Sequence, residues 1–139
     1  MGNILCCDIN RKANDTPKMV CLLDENNVVV RQFDKVSIAS TPRSRNIAFH
    51  NHVPDEHECL LLPSSLLPNR LRTVHSSRIC SEISVLFCSS DGIEKELFEV
   101  QEQHKLDRFN TTATPCAHGD LIIQCGPLNI SVTRVRLIL

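Results

Sequence analysis

Apolar residues in this chain come in short bursts set off by turn-forming residues, and most of the bursts read as strands. Residues 19–38 run "MVCLLDENNVVVRQFDKVSI". The apolar run Met19–Leu23 meets the polar turn "DENN" and then "VVV", a pattern that predicts a hairpin. Phe33, Val36 and Ile38 are the apolar positions of the stretch that follows. Further along, "ICSEISVLFC" is strand-like, with its apolar density highest from Ile83 to Phe87. "SDG" at Ser90–Gly92 marks a turn. "HGD" leads into "LIIQ", and "CGP" leads into "LNISVTRVRLIL". Leu128, Ile130 and Val132 alternate, then the register moves to Val135, Leu137 and Leu139. A final strand with a bulge near Thr133 and Arg134 accounts for that slip. One segment departs from the pattern. In "IEKELFEVQEQHKL", Ile93, Leu97, Val100 and His104 fall at helical spacing with charges between them, which predicts a short amphipathic helix.

A chain of 139 residues is long enough for one domain and too short for two of ordinary size. Trp and Tyr are absent and there are five Phe, so any core rests on Leu, Ile and Val rather than on large rings. The segment 41–78, introduced by "ASTPRSRN" and holding "LPSSLLPNR", is rich in Pro and Ser breakers and reads as a flexible linker. The expected organisation is therefore an anchor at 1–18, a short β-type interaction segment at 19–40, a disordered linker at 41–78 and a small β-rich unit with one helix at 79–139. The expected class is small and mainly β or α+β. A unit of about 60 residues with so few rings is marginal without a partner.

With 15 basic and 16 acidic side chains the chain lacks the basic excess of a nucleic-acid binder. No apolar run approaches the roughly 18 residues of a membrane-spanning helix. "MGNILCCDINRK" turns polar too early for a secretory signal. A cytosolic location follows, in which the eight cysteines are mostly reduced thiols and the sequons at Asn14, Asn110 and Asn129 stay silent.

The first seven residues carry the strongest chemical signal. Removing Met1 exposes Gly2, the acceptor for N-myristoylation, although Cys6 stands where the usual pattern has Ser or Thr. One myristoyl chain binds membranes reversibly, at about 10⁴ M⁻¹, so stable anchoring needs a second signal. Cys6 and Cys7 supply it, since a thiol held at the bilayer surface is well placed for S-palmitoylation. Arg11, Lys12 and Lys18 add at most about 1 kcal/mol each toward anionic lipid.

Other motifs compete for attention. "PDEHECLLLP" sets Glu56 four residues before Leu60, with Leu61 next, the spacing of an acidic dileucine sorting signal; the alternative is a plain buried segment. His50, His52, His57 and Cys59 fall within ten residues, and Cys116 and His118 form another pair, enough ligands for zinc in number. Their spacing fits no paired zinc pattern, so solvated histidines and reduced thiols are expected, with no metal or other cofactor. G-x-S-x-G, P-loop and H-E-x-x-H patterns are all missing. The expectation is a protein that is not an enzyme and takes no small-molecule substrate.

Gly2, the Cys6–Cys7 pair and then "CLLDENNVVV" resemble the herpesvirus cytoplasmic envelopment protein 3 family, the small acylated tegument proteins. The resemblance covers about the first 40 residues. Many members carry a dense acidic cluster where this chain has "ASTPRSRN". It implies myristate on Gly2 and palmitate on Cys6 and Cys7, with Leu22, Leu23, Asp24 and Glu25 as the apolar-acidic stretch. Through "FDKVSI" it extends a partner-binding role to Phe33, Asp34, Val36 and Ile38. It also implies a peripheral protein on the cytoplasmic face of Golgi-derived membranes and in the virion tegument. Such a protein links membrane and glycoprotein tails to a tegument partner during secondary envelopment. Two other readings stand beside it: a viral or cellular adaptor using the same lipid anchor, and a Cys/His metal-dependent regulatory module.

Overall fold

A computed structural model describes residues 16–39, 53–64, 67, 72–75 and 81–139. The described strands are β1 (Met19–Leu23), β2 (Val29–Phe33), β3 (Lys35–Ile38), β4 (Glu58–Pro63), β5 (Val74–His75), β6 (Ile83–Ser90), β7 (Leu97–Leu106), β8 (Thr112–Ala113), β9 (Leu121–Cys125) and β10 (Arg134–Ile138). Eight of them form one sheet in the order β2-β1-β10-β7-β6-β9-β4-β3, and β5 pairs with β8 in a separate ribbon. The mainly β class is thus the observed one.

The two edge strands of the large sheet, β2 and β3, are consecutive in the chain and separated by Asp34 alone. Two peptide units span at most about 7 Å, so the edges must meet and the sheet must roll into a nearly closed barrel. The Asp34 and Lys35 N–H groups both donate to the His57 carbonyl, at 3.1 and 3.0 Å. Lys35 Nζ also pairs with Asp55 at 2.9 Å. Eight strands leave an interior that side chains can fill. It holds Val20, Leu22, Phe33, Leu61, Leu86, Phe98, Leu121, Ile123, Val135 and Leu137, together with the thiols of Cys59, Cys88 and Cys125.

β4, β6 and β9 are apolar on both faces. Their second set of side chains, Leu60, Leu62, Ile83, Val85, Phe87 and Ile122, packs outside the barrel under Val74 and Ala113 of the small ribbon, with Ala39 and Leu106. Successive residues of a strand point to opposite faces, so the near-continuous apolar reading of "ECLLLP", "ISVLF" and "LIIQC" is what a strand buried on both sides requires.

The expected hairpin is present as the antiparallel pair β1–β2, bulged between Leu22 and Leu23. Its turn is held by the Asp24 carboxylate, which accepts from the Asn26 and Val28 N–H groups at 2.8 and 3.0 Å. Asn27 takes the left-handed conformation (φ 63°) that Asn tolerates, and its side-chain oxygen accepts from Arg134 at 2.8 Å.

Three expectations are corrected. Of the helix expected over 93–106, residues 97–106 are β7, paired with β6 on one side and β10 on the other, and residues 93–96 lie in the turn before it. Its Glu, Gln and Lys favour helix locally, but two flanking partners and a half-buried face decide the state. The linker 41–78 is not wholly unstructured: β4 lies within it and is among the most buried strands, paired with β3 and β9. Segments 19–40, 41–78 and 79–139 all give strands to one sheet. Finally, there is no bulged strand across Thr133. β10 begins at Arg134, and residues 127–133 are irregular. Gln103 ties that segment down, donating to the Ile130 carbonyl and accepting from the Val132 N–H, both at 3.0 Å.

Candidate functional site

The acylation candidates Gly2, Cys6 and Cys7 lie outside the described residues. The chain joins the body just ahead of β1, where Pro17 is buried and the Lys18 N–H donates to the Ile138 carbonyl at 2.7 Å. The exposed side chains of Ile138 and Leu139 flank that junction.

The residues assigned to a partner separate into two groups. Leu22, Leu23 and Phe33 are core: Leu22 and Phe33 are fully enclosed and Leu23 is 5% exposed. They are corrected from contact residues to packing residues, because each is enclosed rather than open to solvent. Asp24 is a turn residue. Asp34 is exposed, and Val36 and Ile38 are half-buried along β3, an edge of the sheet. Val36 and Ile38 pack against the interior cluster, so of the three Asp34 is the exposed one. The dileucine signal is corrected in the same way. Glu56 is exposed, but Leu60 and Leu61 sit inside β4, facing the outer cluster and the barrel interior respectively. An adaptor cannot read them without unfolding the strand.

Of the Cys/His set, His50 and His52 lie outside the described residues. His57 is exposed while Cys59 points into the barrel, so the two do not converge. Among the described residues no group of three His, Cys, Asp or Glu side chains is placed to hold a metal.

One polar arrangement among the described residues, around Glu102 and Arg72, was not foreseen from spacing. Beyond a bulge opposite Phe87 and Cys88, the even-numbered residues of β7 turn to the outer face, so Glu102 lies opposite Phe87. Glu102 Oε1 sits 2.8 Å from His104 Nε2, and Oε2 accepts the Cys116 N–H at 2.6 Å. The His104 ring meets Phe87 edge-on at 5.5 Å. Burial pushes the Glu102 carboxyl up, but the Cys116 N–H and His104 outweigh it and hold the group below its usual range. Nearby, Arg72 is fully enclosed. Its Nη1 donates to the Ala117 carbonyl at 3.0 Å and its Nε to Ser64 Oγ at 3.3 Å. Burial lowers its pKa, against the raising fields of the Asp120 and Glu102 carboxylates. Gly119 passes so close that a Cβ there would lie 2.7 Å from the Cys88 carbonyl oxygen and 2.9 Å from Arg72 Nη2.

Chemically this arrangement is a clasp. A nucleophile–base pair needs its base turned toward the nucleophile, whereas His104 Nε2 is engaged by Glu102 and Cys116 is held through its backbone. The groups fasten the 112–120 segment onto β7 and β6. The interior thiols are no better placed as nucleophiles: burial pushes Cys59 and Cys88 well up, and Cys125 to about 12, which leaves negligible thiolate near neutral pH.

No family model and no curated protein matches this chain. A solved structure described as a protein of unknown function from Novosphingobium aromaticivorans is similar, with a TM-score of 0.66 over 85% of this chain and 83% of that one, at 9% identity. At that identity the likeness is one of fold alone: the rolled sheet is an architecture that unrelated-looking sequences reach.

Proposed function

We propose that this protein is a non-catalytic, acylated adaptor of the cytoplasmic membrane leaflet, with the β-barrel as its protein-binding body. The observation that carries the reading is Gly2 followed by the adjacent Cys6 and Cys7, in a segment that leads directly into β1. Myristate alone gives transient binding and a second acyl chain makes it stable. The clasp around Glu102 and Arg72 supports the non-catalytic part, since its polar groups are engaged with each other and with backbone. Within this reading, the resemblance to the acylated tegument proteins points to Golgi-derived membranes and the virion tegument. A tegument protein or glycoprotein tail would then be the partner, meeting the barrel at exposed Asp34 and along the backbone edge of β3, whose Val36 and Ile38 are half-buried against the interior.

Fractionation of cells expressing the full chain tests this. Gly2→Ala is expected to move the protein from the membrane pellet to the soluble fraction. Cys6→Ser with Cys7→Ser is expected to leave weak association that washes off. The mass of the N-terminal peptide reports both lipids directly. If the Gly2→Ala protein pellets as the parent does, the proposal is wrong.

A further inference from the structure

Among the described residues three thiols, Cys59, Cys88 and Cys125, line the barrel interior, and nothing in an adaptor role requires sulfur there. Two of them, Cys59 on β4 and Cys125 on β9, are direct partners in the antiparallel register. Directly opposed residues of such a pair share a face, and here both side chains belong to the interior cluster. Opposed Cα atoms in antiparallel pairs lie about 5.5 or about 4.5 Å apart, according to the type of site. Either spacing falls inside the roughly 4.4–6.8 Å that disulfides span. The other described cysteines lack such a neighbour. Cys21 faces Arg136 and Gln32, Cys88 faces Val100 and Leu121, and Cys116 is exposed in a loop. The register therefore singles out one pair.

We propose that Cys59 and Cys125 form an oxidative modification site, closing a cross-strand disulfide between β4 and β9 when the chain meets a disulfide oxidant of the glutathione type. One cysteine, as thiolate, attacks oxidised glutathione, giving a mixed disulfide and releasing one reduced glutathione. The second cysteine, as thiolate, attacks the protein sulfur of that mixed disulfide and releases the other glutathione. Two protons leave the cysteines and two electrons pass to the oxidant, so the exchange balances. Burial keeps both groups protonated in the closed barrel, and the reaction proceeds when the β3–β4 edge opens or the chain refolds. β4 has only the four-residue β3 between it and the open side of the sheet. Once made, the bond restricts the unfolded chain across a long loop and stabilises the barrel.

The test is to refold the full chain from urea in mixed reduced and oxidised glutathione, and separately in reduced glutathione alone. Each sample is then alkylated, digested without reductant and mapped by mass. The expected product of the oxidising sample is a linked peptide joining Cys59 to Cys125, two hydrogens lighter than the separate thiol peptides. The melting temperature of that sample should rise by several degrees and return on reduction. Cys125→Ser should lose both the linked peptide and the rise. Recovery of Cys59 and Cys125 as alkylated thiols overturns the proposal, as does linkage of either to Cys88 or another cysteine. The peptide map of the parent chain decides the matter even if the serine variant folds poorly.

Discussion

Replacing Phe33 by alanine separates the packing role of this ring from the contact role implied by the resemblance. The ring is fully enclosed at the end of β2, inside the barrel cluster. Truncating an enclosed Phe to Ala removes its transfer free energy and leaves a cavity, costing about 3–5 kcal/mol. Arg31 Cζ lies 6.0 Å from the ring centre, at the outer limit of a cation–π contact, which adds at most about 0.5–1 kcal/mol. Against a total stability of about 5–15 kcal/mol, this removes a large fraction. At roughly 4 °C per kcal/mol for a domain of this size, the midpoint should fall by about 12–20 °C. The chain has no Trp or Tyr, so intrinsic fluorescence is uninformative and the melt is followed by far-ultraviolet circular dichroism. Asp34→Ala, one residue on and exposed, is the control and should stay within about 0.5 kcal/mol of the parent. The reasoning fails if Phe33→Ala melts within a degree or two of the parent and yet loses a protein partner. The ring would then be a contact and not a core residue.

Two more perturbations probe the clasp. Gly119→Ala forces a Cβ against the Cys88 carbonyl oxygen, backbone that cannot move aside cheaply. A loss of about 1–3 kcal/mol is expected in urea unfolding, and an unchanged midpoint would contradict the packing described. Glu102 has a folded pKa below its unfolded one. Its contribution is therefore present above the ordinary carboxyl range and is lost as pH falls through that range toward the folded value. Glu102→Gln should be less stable than the parent at neutral pH and should show a shallower loss between about pH 5 and 3; parallel melts across that range read it.

The parts of the fold legible in the sequence are those whose signal is local. The β1–β2 hairpin announces itself because "DENN" supplies both the Asp that caps the turn and the Asn that tolerates a positive φ. β6 and β9 are legible because strands enclosed on both faces are short and continuously apolar. β7 is not. The bulge moves Glu102, His104 and Leu106 to the outer face while Phe98 and Val100 stay inside, so no single face is apolar throughout. What remains mimics helical spacing. The status of "ECLLLP" is equally hidden: a leucine run flanked by acids reads as an accessible motif until β3 and β9 are seen on either side of it. The clasp brings Ser64 and Arg72 together with Glu102 and the 116–117 backbone from distant parts of the chain, a juxtaposition that no spacing rule encodes. Only a buried arginine in a supposed linker would have hinted at it, and burial is not written in the sequence.

β10 is wedged between β1 and β7, and the backbone ladders of β1 run to it and to the edge strand β2. A nascent chain can therefore pair β1 with β2 early, but the second ladder of β1 must wait for β10, more than a hundred residues further along the chain.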